Sequence, residues 1–177
     1  MIEIRELSKE YIDDIYNLND YFTIDSYLDI ALNNNEFTYS IVPCEPREKQ
    51  YNDEADELDF ENYINNKNKI VFLAFYEEQY AGRIILTKAW NNYIHIEDIT
   101  VDKNYRRYGV ATKLMDKAKK WALECGVKGL SLETQNNNVS ACKFYEKYGF
   151  VLGGFNNELY AALDNDEIAL FWYYIFE

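Results

Sequence analysis

The sequence predicts a mixed α/β fold (α+β in the arrangement of its elements), with a central sheet of six to seven strands flanked by about four helices. Three observations lead there. A continuous apolar run, KIVFLAFYE (69–77), suits a strand buried on both faces. A second apolar run, RIILTKAW (83–90), returns after the short turn EEQYAG (77–82), so the two read as a hairpin. Beyond them, strand-like and helix-like stretches alternate, as in a mixed sheet with covering helices.

Taken in order, IEIREL (2–7) reads as a short strand. Ser8 then offers an N-cap for a helix over KEYIDDIYNLNDYF, where Tyr11, Ile15, Leu18 and Phe22 recur at helical spacing. SYLDIALN (26–33) reads as a second short helix, and residues 34–52, which hold both prolines, as irregular chain. The acidic stretch 52–64 reads as helix or loop. After the hairpin, YIHIEDITV (93–101) is a third strand, and the turn RRYGVA (106–111) leads into a helix with Val110, Leu114, Ala118, Trp121 and Ala122 on one side, ended near Gly126. GLSLETQ (129–135) is a strand and VSACKFYEKYGF (139–150) a helix closed by Gly149. Two last strands, around FNNELYAAL (155–163) and IALFWYYIF (168–176), flank an Asn/Asp turn.

With 177 residues the chain fits one domain, 1–177, and its 48% hydrophobic content excludes a disordered protein. The start, MIEIRELSKE, is charged from its third residue, so no secretory signal is expected, and the longest apolar run is too short to span a bilayer as a helix. Three cysteines without metal or redox spacing point to no metal and no disulfide framework. A cytoplasmic protein without membrane contact is expected.

The net charge of −13 is unevenly placed. Residues 1–66 hold 17 acidic and 4 basic side chains, and residues 67–177 hold 14 of each. Locally, 102–128 reverses the sign, with eight Lys or Arg against three acids. One region attracts cations and the other anions. So acidic a chain is no nucleic-acid binder, which would need a broad basic surface.

Arg106-x-x-Gly109-x-Ala111 follows a strand and opens a helix. The first amides of a helix lack internal partners, and the helix dipole adds partial positive charge there. Small residues let an anion come close to the backbone, the logic of a phosphate cradle. The turn lacks the P-loop and dinucleotide-fold patterns. An ordinary strand-to-helix connection with solvated arginines would also look like this.

A second segment adds to it: Asn138-x-x-Ala141-x-x-x-Tyr145-x-x-x-Gly149-Phe150 opens a helix after the next strand. Together the two segments resemble the acyl-CoA-binding core, here about 94–150, of the GNAT superfamily of N-acetyltransferases. In element order the resemblance spans about 69–176. Within that superfamily, ENYINNKNKIVFLAF, YIHIEDITV, LETQNNNVSACKFYEKYGF and the terminal ALFWYYIF are similar to the streptothricin acetyltransferases. Three positions differ from many members: Tyr108 and Ala111, where glycine is frequent (alanine is also common at the second), and Lys103, where proline is frequent.

The resemblance implies acetyl-CoA as cosubstrate. Arg106 and the backbone of Arg107, Tyr108, Gly109, Val110, Ala111 and Thr112 would hold its pyrophosphate. Ile99, Thr100 and Val101 would pair with the pantetheine arm, with a bulge near Asp98 freeing the strand. Asn138 would bond the same arm, Ala141 would lie on the coenzyme side, and Tyr145 would meet the thioester sulfur as proton donor.

Transfer to an amine also needs a proton acceptor, since an alkylamine with a pKa of about 10.4 attacks only when neutral. His95 and Glu97, two apart on one strand, share a face, and related enzymes place bases there. Glu97 is preferred because a carboxylate also attracts a cationic amine; His95 or a water chain stays open. Asp98 points the other way and reads as a backbone brace. Cys142 reads as packing.

DEADELDFE (53–61) carries six carboxylates in nine residues. A charge run is usually a solvated face, but Leu58 and Phe60 would anchor this one, and it would draw a small cationic amine. Asp53, Glu54, Asp56, Glu57 and Tyr63, with Glu97, are the substrate-side candidates. Streptothricin, through its β-lysine amines, is the expected acceptor. A polyamine or protein amine, or a module that binds acyl-CoA without chemistry, are the alternatives. Monomer and homodimer both stay open.

Overall fold

The computed structural model describes residues 1–51, 58–163 and 166–177. Its mixed sheet has seven strands, beside a separate two-stranded hairpin. Two compact units divide the chain: residues 1–22 with 50–130, and residues 23–49 with 131–177.

In the first unit, β1 (Ile2–Glu6), β4 (Lys69–Tyr76), β5 (Gln79–Lys88) and β6 (Ile94–Val101) lie side by side in that order, each antiparallel to the next. Every residue from Ile70 to Phe75 is buried, as the unbroken apolar run requires. Glu77 and Glu78, both at positive φ, form the two-residue turn from β4 to β5. Helix α1 (Val110–Glu124) packs on all four strands through Val110, Leu114, Met115, Ala118 and Ala122. A cluster of Leu7, Ile15, Phe60, Tyr63, Val71, Leu73, Phe75 and Ile85 forms a core in this unit.

The expected helix from Ser8 is not there. A short 3-10 turn, Lys9–Tyr11, and further turns take its place. Ile15 and Leu18 are buried as the spacing implied, yet the backbone after them has other partners. The Asn19 amide donates to Asp102 Oδ2 at 2.8 Å, and the Asn19 carbonyl accepts from the Lys103 amide at 2.7 Å. Bonds to a distant segment displace the helical ones.

The second unit holds the hairpin β2 (Phe22–Asn33) and β3 (Glu36–Lys49), where a short helix and irregular chain were expected. Ile24, Leu28 and Ile30 face inward and Asp25, Tyr27 and Asp29 outward, a period of two. Asn34 and Asn35, at φ 50° and 63°, make the tight turn that this pairing needs.

Also here are β7 (Gly129–Gln135), which begins at the end of the first unit, helix α2 (Val139–Tyr148), β8 (Val151–Asn156) and β9 (Ala169–Ile175), with β9 between β7 and β8. The strand expected over 155–163 lies earlier. Asn156 Oδ1 accepts from the amides of Glu158 and Leu159, which turns the chain out of the sheet. Gly153 conceals β8 in the sequence, but its bare Cα makes room for the Tyr173 ring, which a Cβ would meet at 2.5 Å. The chain has two α-helices among its described residues rather than the expected four; the other two fall on the 3-10 turns near the amino terminus and on β2.

Candidate active site

Strand β6 carries the expected irregularity. Ile85 pairs with Asp98 and Leu86 with Ile96, so Glu97 is an extra residue without a register partner on β5. Its exposed carboxylate is held from two sides: Tyr63 Oη donates to Oε2 at 2.6 Å and Thr87 Oγ1 to Oε1 at 2.8 Å. Burial, and then the bond to this carboxylate, push the Tyr63 phenol well above its ordinary range, so it stays a donor. His95 sits directly across from Thr87. Burial holds its imidazole below the usual range, with Glu97 pulling the other way, so the ring is largely neutral near pH 7. Asp98 holds side chains and does not bond the local backbone directly: it accepts from Arg83 Nε at 2.8 Å and from Thr100 Oγ1 at 2.8 Å, while Arg83 Nη1 donates to the Ile15 carbonyl at 2.6 Å.

At the end of β6, Thr100 is buried and Ile99 and Val101 are half-buried. Asp102 then caps a 3-10 turn, Lys103–Tyr105, by accepting from the Asn104 amide at 2.9 Å. Arg107 (φ 68°) and Gly109 (φ 88°) both take the left-handed conformation, and Gly109 is the N-cap of α1. Glycine meets that requirement without strain. Arg107, Tyr108, Gly109 and Thr112 are exposed and Ala111 is half-buried, so the opening of the helix is accessible along its backbone. That is anion-binding chemistry: helix-start amides and a positive dipole end. The Arg106 side chain turns elsewhere, its guanidinium donating to the carbonyls of Val101, Tyr21 and Asp20.

In the second unit, Asn138 caps α2, its Oδ1 accepting from the Ala141 amide at 3.2 Å. Tyr145, two turns on, is 7% exposed and packs against Phe150 and Trp172. Cys142 is buried, and burial pushes its thiol up to about 12, so it is inert packing. The neighbouring asparagines are structural. Asn136 holds Leu28 of β2 through backbone and side chain, and Asn137 donates to the buried Glu167, which also pairs with Lys49.

The sequence profile described as the Acetyltransferase (GNAT) family matches residues 33–150. The chain belongs to that family. It is 41% identical over 160 residues to streptothricin acetyltransferase A of Bacillus subtilis, covering 89% of this chain and 91% of that one. A streptothricin acetyltransferase of Escherichia coli is 33% identical over 167 residues, covering 93% and 91%. A Bacillus anthracis protein described as a streptothricin acetyltransferase, crystallised with acetyl coenzyme A, superimposes with a TM-score of 0.93 at 44% identity, covering 99% of this chain and 100% of that one.

Within this GNAT acetyltransferase, the first unit carries His95, Glu97, Ile99, Thr100, Val101 and residues 106–112 on β6, the turn after it and the start of α1, and Tyr63 joins them through its bond to Glu97. Asn138, Ala141 and Tyr145 share α2 and its cap in the second. Asp53, Glu54, Asp56 and Glu57 lie outside the described residues. Two neighbours of these residues do not stand out in the sequence: Thr87, which bonds Glu97, and Arg83, which bonds Asp98. Thr87 was detectable only as the cross-strand neighbour of His95, and Arg83 only as a cation inside an apolar strand.

Proposed function

We propose that this acetyltransferase moves the acetyl group of acetyl-CoA to an amine of streptothricin, on its β-lysine arm, and so confers resistance to the antibiotic. The observation that carries this reading is likeness along nearly the whole chain, 89% of it, to an enzyme of that name.

The residues fit the chemistry in turn. Backbone amides at the start of α1, from Arg107 to Thr112, suit the coenzyme's pyrophosphate, because they offer donors without a competing side chain. Ile99, Thr100 and Val101 offer strand backbone to the pantetheine arm, and Asn138 and Ala141 mark its other contacts. The thioester supplies the acyl group. Glu97, exposed and acidic, attracts the ammonium form of the acceptor and takes its proton, directly or through water. His95, largely neutral near pH 7, is the second proton acceptor on that strand. Tyr145 gives a proton or hydrogen bond to the departing thiolate, which a phenol near pKa 10 can do beside a thiol of about 8.5. The acidic run with Asp53, Glu54, Asp56 and Glu57 raises the local concentration of a polycationic acceptor. Transfer is direct, with both substrates bound together and no acyl-enzyme.

Expression in a streptothricin-susceptible bacterium tests this. Growth should persist at drug concentrations that stop the parent strain, and Tyr145→Phe should abolish the protection at equal protein level. Equal susceptibility with and without the chain would refute the assignment.

A further inference from the structure

We infer that Tyr63 and Thr87 are positioning residues for the amine-deprotonating carboxylate, and that Tyr63 ties the anchored end of the acidic segment to it. This rests on Glu97 being the proton acceptor, as proposed above.

The need comes from the bulge. A residue in the regular ladder has its side chain aimed by the backbone on both sides, but Glu97 has no register partner on β5. Two hydroxyls supply the missing constraint, one on each carboxylate oxygen: Tyr63 on Oε2 and Thr87 on Oε1. A carboxylate has about four acceptor directions, so each oxygen keeps one for an amine or a water.

The two donors are themselves fixed. Thr87 sits on β5 between strands that pair on both sides. Tyr63 is 3% exposed, packs on Phe60 with ring centroids 6.0 Å apart, and has Lys69 Nζ 5.1 Å from its ring centroid. It closes the 3-10 turn Phe60–Tyr63, which Asp59 caps by accepting from the Glu61 amide at 3.2 Å and the Asn62 side chain at 2.8 Å. Asp59 therefore has a structural task within the acidic run, and the 3-10 turn at the end of that run closes on a buried tyrosine that holds Glu97. The described end of the acidic stretch, Asp59–Tyr63, is thus fastened to the group that would deprotonate the acceptor.

Purified Tyr63→Phe, Thr87→Val and Glu97→Gln, with Thr87→Ser as the conservative control, test this with acetyl-CoA and streptothricin. Tyr63→Phe and Thr87→Val should each lower kcat roughly tenfold, the effect of losing a hydrogen bond to a charged group, with KM for acetyl-CoA unchanged. Thr87→Ser should recover most of the loss. Tyr63→Phe should add little in the Glu97→Gln background, since no carboxylate is left there to be positioned as proton acceptor. Wild-type kcat in both hydroxyl variants, with Glu97→Gln slow, would overturn the positioning role alone. An effect of Tyr63→Phe that persists undiminished in the Glu97→Gln background would do the same. Wild-type turnover in Glu97→Gln would overturn the assignment of Glu97 and this inference with it.

Discussion

Arg106 and Tyr21 are joined by a 2.7 Å hydrogen bond from Nη1 to the Tyr21 carbonyl, although 85 residues separate them. The same guanidinium reaches the carbonyls of Asp20 and Val101. With the Asn19 bonds to Asp102 and Lys103, it staples the segment before β2 onto the turn that opens α1. The first arginine of the turn thus acts within the protein fold.

Arg106→Ala should therefore cost about 2–3 kcal/mol, since it removes several charge-assisted bonds from partly buried carbonyls. Arg106→Lys should restore only part, because an ammonium cannot reproduce the planar fork. Urea unfolding checks both. Unchanged stability with a raised KM for acetyl-CoA would instead place this guanidinium on the coenzyme.

Gly82 pairs with Val101, and a Cβ there would stand 2.6 Å from the Thr100 carbonyl oxygen and 3.3 Å from the Val101 Cα. Both are backbone atoms, which cannot swing aside. Gly82→Ala should push β6 away from β5 and cost about 1–3 kcal/mol. It should also weaken acetyl-CoA binding, which the proposed role of Thr100 and Val101 requires. Chemical denaturation and coenzyme titration read the two effects separately.

His95 is the chain's one histidine, so its titration can be isolated. Burial depresses its pKa in the folded state. The unfolded chain therefore takes up this proton first as pH falls, near pH 6.5, and the folded state only below that. The stability carried by the neutral ring is fully present above about pH 6.5 and drains away as pH falls through the folded value. Replacing it by His95→Gln should flatten the stability profile between about pH 7 and 5, measured by denaturant midpoints across that range. An unchanged slope would mean that the imidazole titrates alike in both states.

How far the sequence could be read depended on where the information lay. The hairpin of β4 and β5, both α-helices and β7 rest on unbroken apolar runs or strong helical periodicity, and β7 was read to the residue. The segment from Ser8 to Lys49 was misread, because its structure is set by distant partners: Asn19 bonds to Asp102 and Lys103, and Leu28 is held by Asn136. The Asn34–Asn35 pair was the local clue to that hairpin. On β6 the expected bulge is present, while Asp98, expected to brace the local backbone, bonds the side chains of Arg83 and Thr100 instead. Thr87 was not foreseen, because its contact arises only once the register of β5 on β6 is known. Tyr63 was seen as a substrate-side residue, and its buried ring and bond to Glu97 emerge only in three dimensions.

The most direct measurement is release of CoA thiol by the purified chain with acetyl-CoA and, in parallel, streptothricin, spermidine, an aminoglycoside and a lysine peptide. Fast turnover with streptothricin, far above the other three, is the predicted result. Turnover confined to spermidine, or acetyl-CoA binding without transfer to any of these amines, would contradict it.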